Sequence, residues 1–200
     1  MTYKEIRANE EVNALLDKGN KNLGLLGFTD HSKAHCTHVA ETAGHILKKF
    51  NYDAHDIELA KIAGYMHDIG NVINRIDHAQ SGAVMAFRIL DKLGMPADEI
   101  ATVCSAIGNH DESTAFPVNA VAAALISADK TDVRRTRVRN RDKATFDIHD
   151  RVNYAVEKAS TTLDAAGKAV VLDLQLDTGM SPVIDYFEIF LERMLLCRKA

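Results

Sequence analysis

Nine histidines stand in a 200-residue chain that has no tryptophan, and their placement carries more than their number. His67 and Asp68 close an apolar stretch over 57–66, just before Gly70. His35 lies four residues before Val39 in the preceding stretch, and His78 opens the following one. His110 sits in Gly108-Asn109-His110-Asp111-Glu112, and Asp129 ends the apolar segment 120–128. Any one of these residues alone reads as a packed imidazole or a helix-end charge. Together, four imidazoles and two carboxylates at helix ends make a different case. Ends of adjacent helices can meet at one point inside a bundle, and such groups are costly to bury unpaired. Imidazole with carboxylate is the donor set of Zn, Fe, Mn, Co or Ni rather than Ca or Cu(I). Six donors are too many for one tetrahedral zinc. They suit two divalent ions if one carboxylate bridges, and Asp68 is the natural bridge.

The elements that must position these donors are mostly helical. Thr29 or Asp30 can cap a helix running to about Phe50, with Val39, Ala43, Ile46, Leu47 and Phe50 as its apolar stripe. Asp53 or Asp56 opens the next, which Gly70 is placed to end. Further helices are expected from His78 to Leu93, from Ala97 to Ile107 and after Pro117, with one more from Tyr3 to about Asn20. After Asp147 the period changes. Val152, Tyr154 and Val156 alternate with polar residues, 164–167 reads as a turn, and Val170, Leu172, Leu174 and Leu176 alternate again, which predicts a β-hairpin. Pro182 starts a last helix carrying Ile184, Phe187, Phe190, Leu191, Met194 and Leu195. The expected plan is mainly α. A helical metal-binding domain spans 1–141, and a hairpin-helix appendage at 142–200 packs on it.

Composition narrows the function classes. A content of 46% hydrophobic and 26% charged residues is that of a globular chain. No apolar run approaches the ~20 residues of a membrane span, and the polar start MTYKEIRANEEV does not read as a secretory signal. The three cysteines are far apart without a CxxC pair, which argues against a disulfide frame or thiolate zinc. A cytoplasmic protein is the expectation. Net charge is −4, against wholesale nucleic-acid binding, yet the segment 130–143 is +5 and leaves −9 elsewhere. A local basic patch on an acidic chain suits a small anionic partner.

The pattern as a whole resembles the HD-domain superfamily of metal-dependent phosphohydrolases. HCTHVAETA is similar to its first motif, HDIGN to the second and ISADK to the last. HAQSGA and GNHDE look like the sites of the two extra histidines of the dinuclear branch. The match spans about residues 28–135 and makes His35, rather than His38, the first ligand. The resemblance implies one ion on His35, His67, Asp68 and Asp129, and a second on Asp68, His78 and His110. It implies an HD-type helical bundle that hydrolyses a phosphate ester or anhydride, of a nucleotide or a related small molecule. Di-iron oxygenases share the scaffold, and a nucleotide-sensing module is a third use of it. Asn71 stands where the cyclic-dinucleotide hydrolases have Lys, Asp111 where they have His, and their GYP tripeptide is missing after His110, all of which disfavours that activity.

Around such a centre, Asp77, Asp111 and Glu112 are candidates to orient imidazoles, and Asp111 or Glu112 could protonate a leaving group. Lys130, Arg134, Arg135 and Arg75 are candidates to bind phosphate. Arg137, Arg139 and Arg141 read as a solvated basic surface or as salt-bridge partners. Asp30 and His31 read as capping or pocket-lining, and His38, His45, His55 and His149 as structural or exposed. The C-terminal hairpin and helix could carry a partner or homodimer surface.

Overall fold

The computed structural model describes residues 1–200 apart from 113, 165 and 167. Two helices, α1 (Tyr3–Ala8) and α2 (Glu10–Leu25), take the place of the single N-terminal one. Asn9 explains the break: its backbone is extended, and its side chain accepts from the Val12 amide at 3.0 Å, capping α2. Helix α3 (Lys33–Lys49) begins at Ser32 rather than at Thr29 or Asp30. The Asp30 carboxylate accepts instead from the Ser32 hydroxyl at 2.5 Å. Asp53 caps α4 (Ala54–Met66), and the chain then turns through a short 3₁₀ segment, Ile69–Val72, into α5 (His78–Lys92). Helices α6 (Ala97–Gly108) and α7 (Ala120–Lys130) complete the bundle, the latter capped by the Asn119 side chain.

The core lies where α3, α4 and α7 pack together. Val39, Ala40, Ala43, Ile62, Ala63, Met66, Leu125 and Ala128 are all inaccessible to solvent. Each large side chain among them contributes roughly 1.5–3 kcal/mol by leaving water, and the alanines let the backbones come close. Gly64 marks the tightest approach of α4 to α3: a Cβ there would stand 2.7 Å from the Ala40 Cα.

Gly70 has a different use from the one expected. It does not adopt a positive φ and does not end α4; it lies inside the 3₁₀ turn. A Cβ there would meet the His78 carbonyl oxygen at 2.0 Å and the Gly82 amide nitrogen at 2.6 Å. The absence of a side chain therefore lets the turn after His67-Asp68 press against the start of α5, which brings His78 beside Asp68.

Two 3₁₀ turns, Arg135–Arg137 and Lys143–Thr145, lead from the bundle to the C-terminal elements. The alternation over 152–156 is not a strand. Asp147 caps α8 (Ile148–Ala155) by accepting from the Asp150 amide at 2.7 Å, and Val152 and Ala155, three apart, face inward. Strand β1 (Val156–Asp164) starts only there and pairs antiparallel with β2 (Ala169–Leu176), Thr161 opposite Leu172. The turn expected over 164–167 falls partly outside the described residues. Helix α9 (Val183–Lys199) follows Pro182. A second, smaller core joins Val133 to Val152, Val156, Tyr186 and Phe190.

Candidate metal centre

The four imidazoles arrive from four elements: His35 from the first turn of α3, His67 from the end of α4, His78 from the start of α5, and His110 from just beyond α6. All four are about 1% exposed, as sequestered as the apolar core. Asp68 (3%) and Asp129 (8%) lie among them. The six residues that the sequence singles out thus share one neighbourhood.

Each Nδ1 is engaged away from the centre. His67 donates to the Gly64 carbonyl at 2.8 Å, His78 to Arg75 at 2.9 Å and His110 to Ile107 at 2.6 Å. His35 donates to the Asp132 carboxylate at 2.8 Å. An Nδ1 that donates leaves Nε2 with a lone pair, and all four Nε2 atoms turn inward. The Nε2 of His35 lies 3.7 Å from Asp68 Oδ2 and 3.3 Å from Asp129 Oδ1, and that of His67 lies 3.2 Å from Asp68 Oδ2. The His78 Nε2 is 3.7 Å from the other Asp68 oxygen, Oδ1, and 3.1 Å from the His110 Nε2. One oxygen of Asp68 faces the first pair and the other faces His78.

Of the four buried side-chain atoms without a hydrogen-bond partner among the described residues, three lie at this centre: His35 Nε2, His67 Nε2 and Asp68 Oδ2. Orphaned acceptors of this kind are expensive in a folded interior, and their arrangement fits a cation. Two donor sets, His35-His67-Asp129 and Asp68-His78-His110, each have ligand atoms within 4.8 Å of one another. Cys36 forms a third such group with His67 and Asp68, but burial pushes its thiol well up, which disfavours the thiolate.

Electrostatics suit the same purpose. Burial pushes the Asp68 carboxyl up, but His67 and His31 beside it more than offset this and hold it well below the usual range. Asp129 is held low against its own burial by Lys130 and His35. Burial, then the neighbouring His67 and His78, keep His110 well below its ordinary value; burial and Arg75 lower His78. For His67 the pull of Asp68 outweighs burial and raises it. The site therefore favours ionised carboxylates beside His78 and His110 imidazoles that stay neutral.

A cavity of about 320 Å³ opens over this centre, with Asp68, His78, His110 and Asp129 at its base. Arg75 and Lys130 line it, and so do Arg137 and Arg193. Arg134 and Arg135 do not. Arg134 pairs with Asp132 behind His35, at 2.5 and 2.8 Å, and Arg135 lies over the Tyr154 ring with its Nε on the Tyr154 carbonyl. The 3₁₀ turn explains the difference, since it swings the three side chains of 134, 135 and 137 to separate directions. Arg137 bonds the Asp30 and Asp132 carbonyls and reaches the cavity wall. Arg139, held by Phe28 and Asn20, is structural.

The carboxylates beyond Asp68 and Asp129 are arranged differently from the expectation. Asp77 is exposed and takes a left-handed backbone at φ 57° at the start of α5. Asp111 lies 3.9 Å from Arg75, and Glu112 binds Lys130 at 3.1 Å and Arg193 at 3.2 Å; neither carboxylate lines the cavity. Lys130 in turn contacts Asp129 at 2.8 Å. Burial would raise the Glu112 carboxyl, but Lys130 and Arg193 bring it down to about 2. A group so acidic carries no proton to donate near neutrality. The carboxylate bonded to an imidazole is Asp132, which is not among the candidates read from the sequence. Its one signal is its position three residues after Asp129. Asn71 also escaped notice as a contact; its amide donates to Asp68 Oδ1 at 2.6 Å. His31 lines the cavity and meets the His35 ring edge-on at 5.5 Å. His149, read as structural or exposed, stands at the cavity wall.

Residues 33–159 match the HD domain family, which is more than half of the chain, and the chain belongs to that family. The fold is hydrolase-like at the family level, and HD domains bind divalent metals. The chain is similar to an uncharacterised protein of Methanocaldococcus jannaschii, 29% identical over 181 residues that cover 79% of this chain and 70% of the relative. It also resembles the crystal structure of a "predicted HD superfamily hydrolase" from an uncultured Thermotogales bacterium. That match has a TM-score of 0.49 and 26% identity, and covers 62% of this chain and 67% of the other. No helix among the described residues is long and apolar enough to cross a membrane.

Proposed function

We propose that the chain is a phosphohydrolase working with two divalent ions, one held by His35, His67, Asp68 and Asp129 and the other by Asp68, His78 and His110. The observation that carries this reading is the orientation of Asp68: its two oxygens face different imidazoles, and its Oδ2 is a buried acceptor without a partner. Such ions, when bound, supply positive charge that acidifies water and polarises phosphoryl oxygens.

The chain's own residues do the rest. The Nδ1 bonds of the four histidines hold the rings in one tautomer and one direction, so little reorganisation is needed on binding. Arg75, Lys130, Arg137 and Arg193 line the cavity and favour an anionic substrate. Arg75 is the one best placed to meet phosphate, because its Nη1 is 3.2 Å from the His78 Nε2 and its guanidinium fork matches phosphate geometry. Lys130 and Arg193 are committed to Glu112 and set the field of the cavity from its wall. The leaving-group proton would come from solvent, since Glu112 is held ionised and Asp111 does not line the cavity.

The test is hydrolysis without oxygen. Protein loaded with Mn²⁺ or Co²⁺ should release phosphate from some member of a panel of nucleotides, dinucleotides and sugar phosphates in an anaerobic chamber. Asp68→Ala should release none, while Arg75→Met should raise KM and retain its metal. Turnover that requires both O₂ and iron would overturn the reading in favour of an oxygenase.

A further inference from the structure

A second cavity is larger than the one over the metal centre. A cleft of about 1370 Å³ separates the bundle from the C-terminal elements, floored by α3 and α7 and walled by β2 and α9. Phe50, Leu172, Leu174, Phe187, Phe190 and Met194 make it apolar. Its volume exceeds the roughly 300–1,000 Å³ of ordinary small-molecule sites. Contiguous exposed apolar surface on this scale marks a place where something binds.

The charges around the cleft say what kind of occupant suits it. The chain has 28 acidic against 24 basic residues. Yet Lys130, Lys168, Arg193, Arg198 and Lys199 line the cleft, and no Asp or Glu side chain does among the described residues. Lys130 and Arg193 are already held by Glu112. Lys168, Arg198 and Lys199 are exposed, and Arg198 and Lys199 make no ion pair among the described residues. The uncommitted cations therefore lie where solvent reaches, and the apolar side chains line the space between the layers.

We propose that this cleft binds a single-chain amphiphile with an anionic head, its hydrocarbon between α7, β2 and α9 and its head at Arg198, Lys199 and Lys168. The cleft shares Lys130, Phe190 and Arg193 with the wall of the cavity over the metal centre, but the proposal does not depend on the phosphohydrolase reading. Each further methylene buried adds to affinity, so chain length should dominate affinity and head charge should refine it.

Calorimetry on the intact chain with hexadecanoate, kept below its micelle concentration, tests this. Binding of one molecule per chain is expected, at least 100-fold weaker for octanoate and several-fold weaker for the uncharged hexadecanol. Phe187 is 49% exposed at the cleft, so Phe187→Glu should keep the fold by circular dichroism and lose binding. Arg198→Glu with Lys199→Glu, both on the surface, should abolish the preference for hexadecanoate over hexadecanol while leaving the latter's affinity unchanged. Equal affinity for the two ligands in the unaltered protein would overturn the proposal. So would wild-type binding by Phe187→Glu, or a dimer by sedimentation that shields the cleft and takes up no hexadecanoate.

Discussion

Asp132 decides how well His35 can serve. Its carboxylate accepts from the His35 Nδ1, and Arg134 grips both its oxygens. Burial opposes ionisation, but the His35 and Arg134 hydrogen bonds hold the carboxyl far below its usual range. An anionic acceptor there fixes the tautomer and raises the basicity of the inward nitrogen. Asp132→Asn should therefore weaken metal binding by about 10–100-fold, read by competition against a chromogenic chelator, with helix content unchanged. An unaltered affinity would assign Asp132 a purely structural role. The six candidate donors were legible because imidazoles and carboxylates recur together at helix ends, and because their order is that of a known family. Asp132 and Arg193 were not. Their partners lie 97 and 81 positions away in the chain, and a lone Asp or Arg in a charged segment looks the same whether it points at a ligand or at water.

Between α4 and α5 the chain has eleven residues to bring His67, Asp68 and His78 to one point, and Gly70 makes that possible by close approach rather than by backbone freedom. Gly70→Ala drives a methyl into the His78 carbonyl oxygen at a nominal 2.0 Å. Backbone cannot rotate away as a side chain can, so the loss should lie at or beyond the top of the 1–3 kcal/mol range for overpacking, measured by urea denaturation. Metal affinity should fall with it, because His78 is displaced; a change below about 0.5 kcal/mol would contradict this account of the turn. Element types over the bundle were legible from the three- and four-residue spacing of apolar positions. The exceptions are instructive. In α8 the spacing of Val152, Tyr154 and Val156 imitates a strand, but Asp147 caps the segment and only Val152 and Ala155 are turned inward by it. At Asn9 an amide side chain that could sit inside a helix instead ends one and starts another.

For the whole molecule, the concentration of charge at one buried point makes stability without metal depend on pH. The carboxyls of Asp68, Glu112, Asp129 and Asp132 all lie below their unfolded values. Their contribution is present above the usual carboxylate range and is lost as pH falls through it towards the folded values. His31, His78 and His110 also lie below their ordinary 6.5, so the unfolded chain takes up protons first and stability starts to fall once pH drops past about 6.5. His67 is raised and works in the opposite sense, its contribution fading as pH rises through its folded value. Chelator-treated protein should accordingly unfold at lower urea at pH 5 than at pH 7, and added Mn²⁺ should lift the pH 7 midpoint by linkage. A midpoint that rises on acidification would mean that the buried carboxylates are not ionised. The account stands most directly on where electron-rich ions sit. Anomalous X-ray scattering from crystals grown with Mn²⁺ should show two peaks flanking Asp68, about 3.5–4 Å apart, one beside His35 and His67 and the other beside His78 and His110. Peaks elsewhere, or none within reach of Asp68, would contradict it.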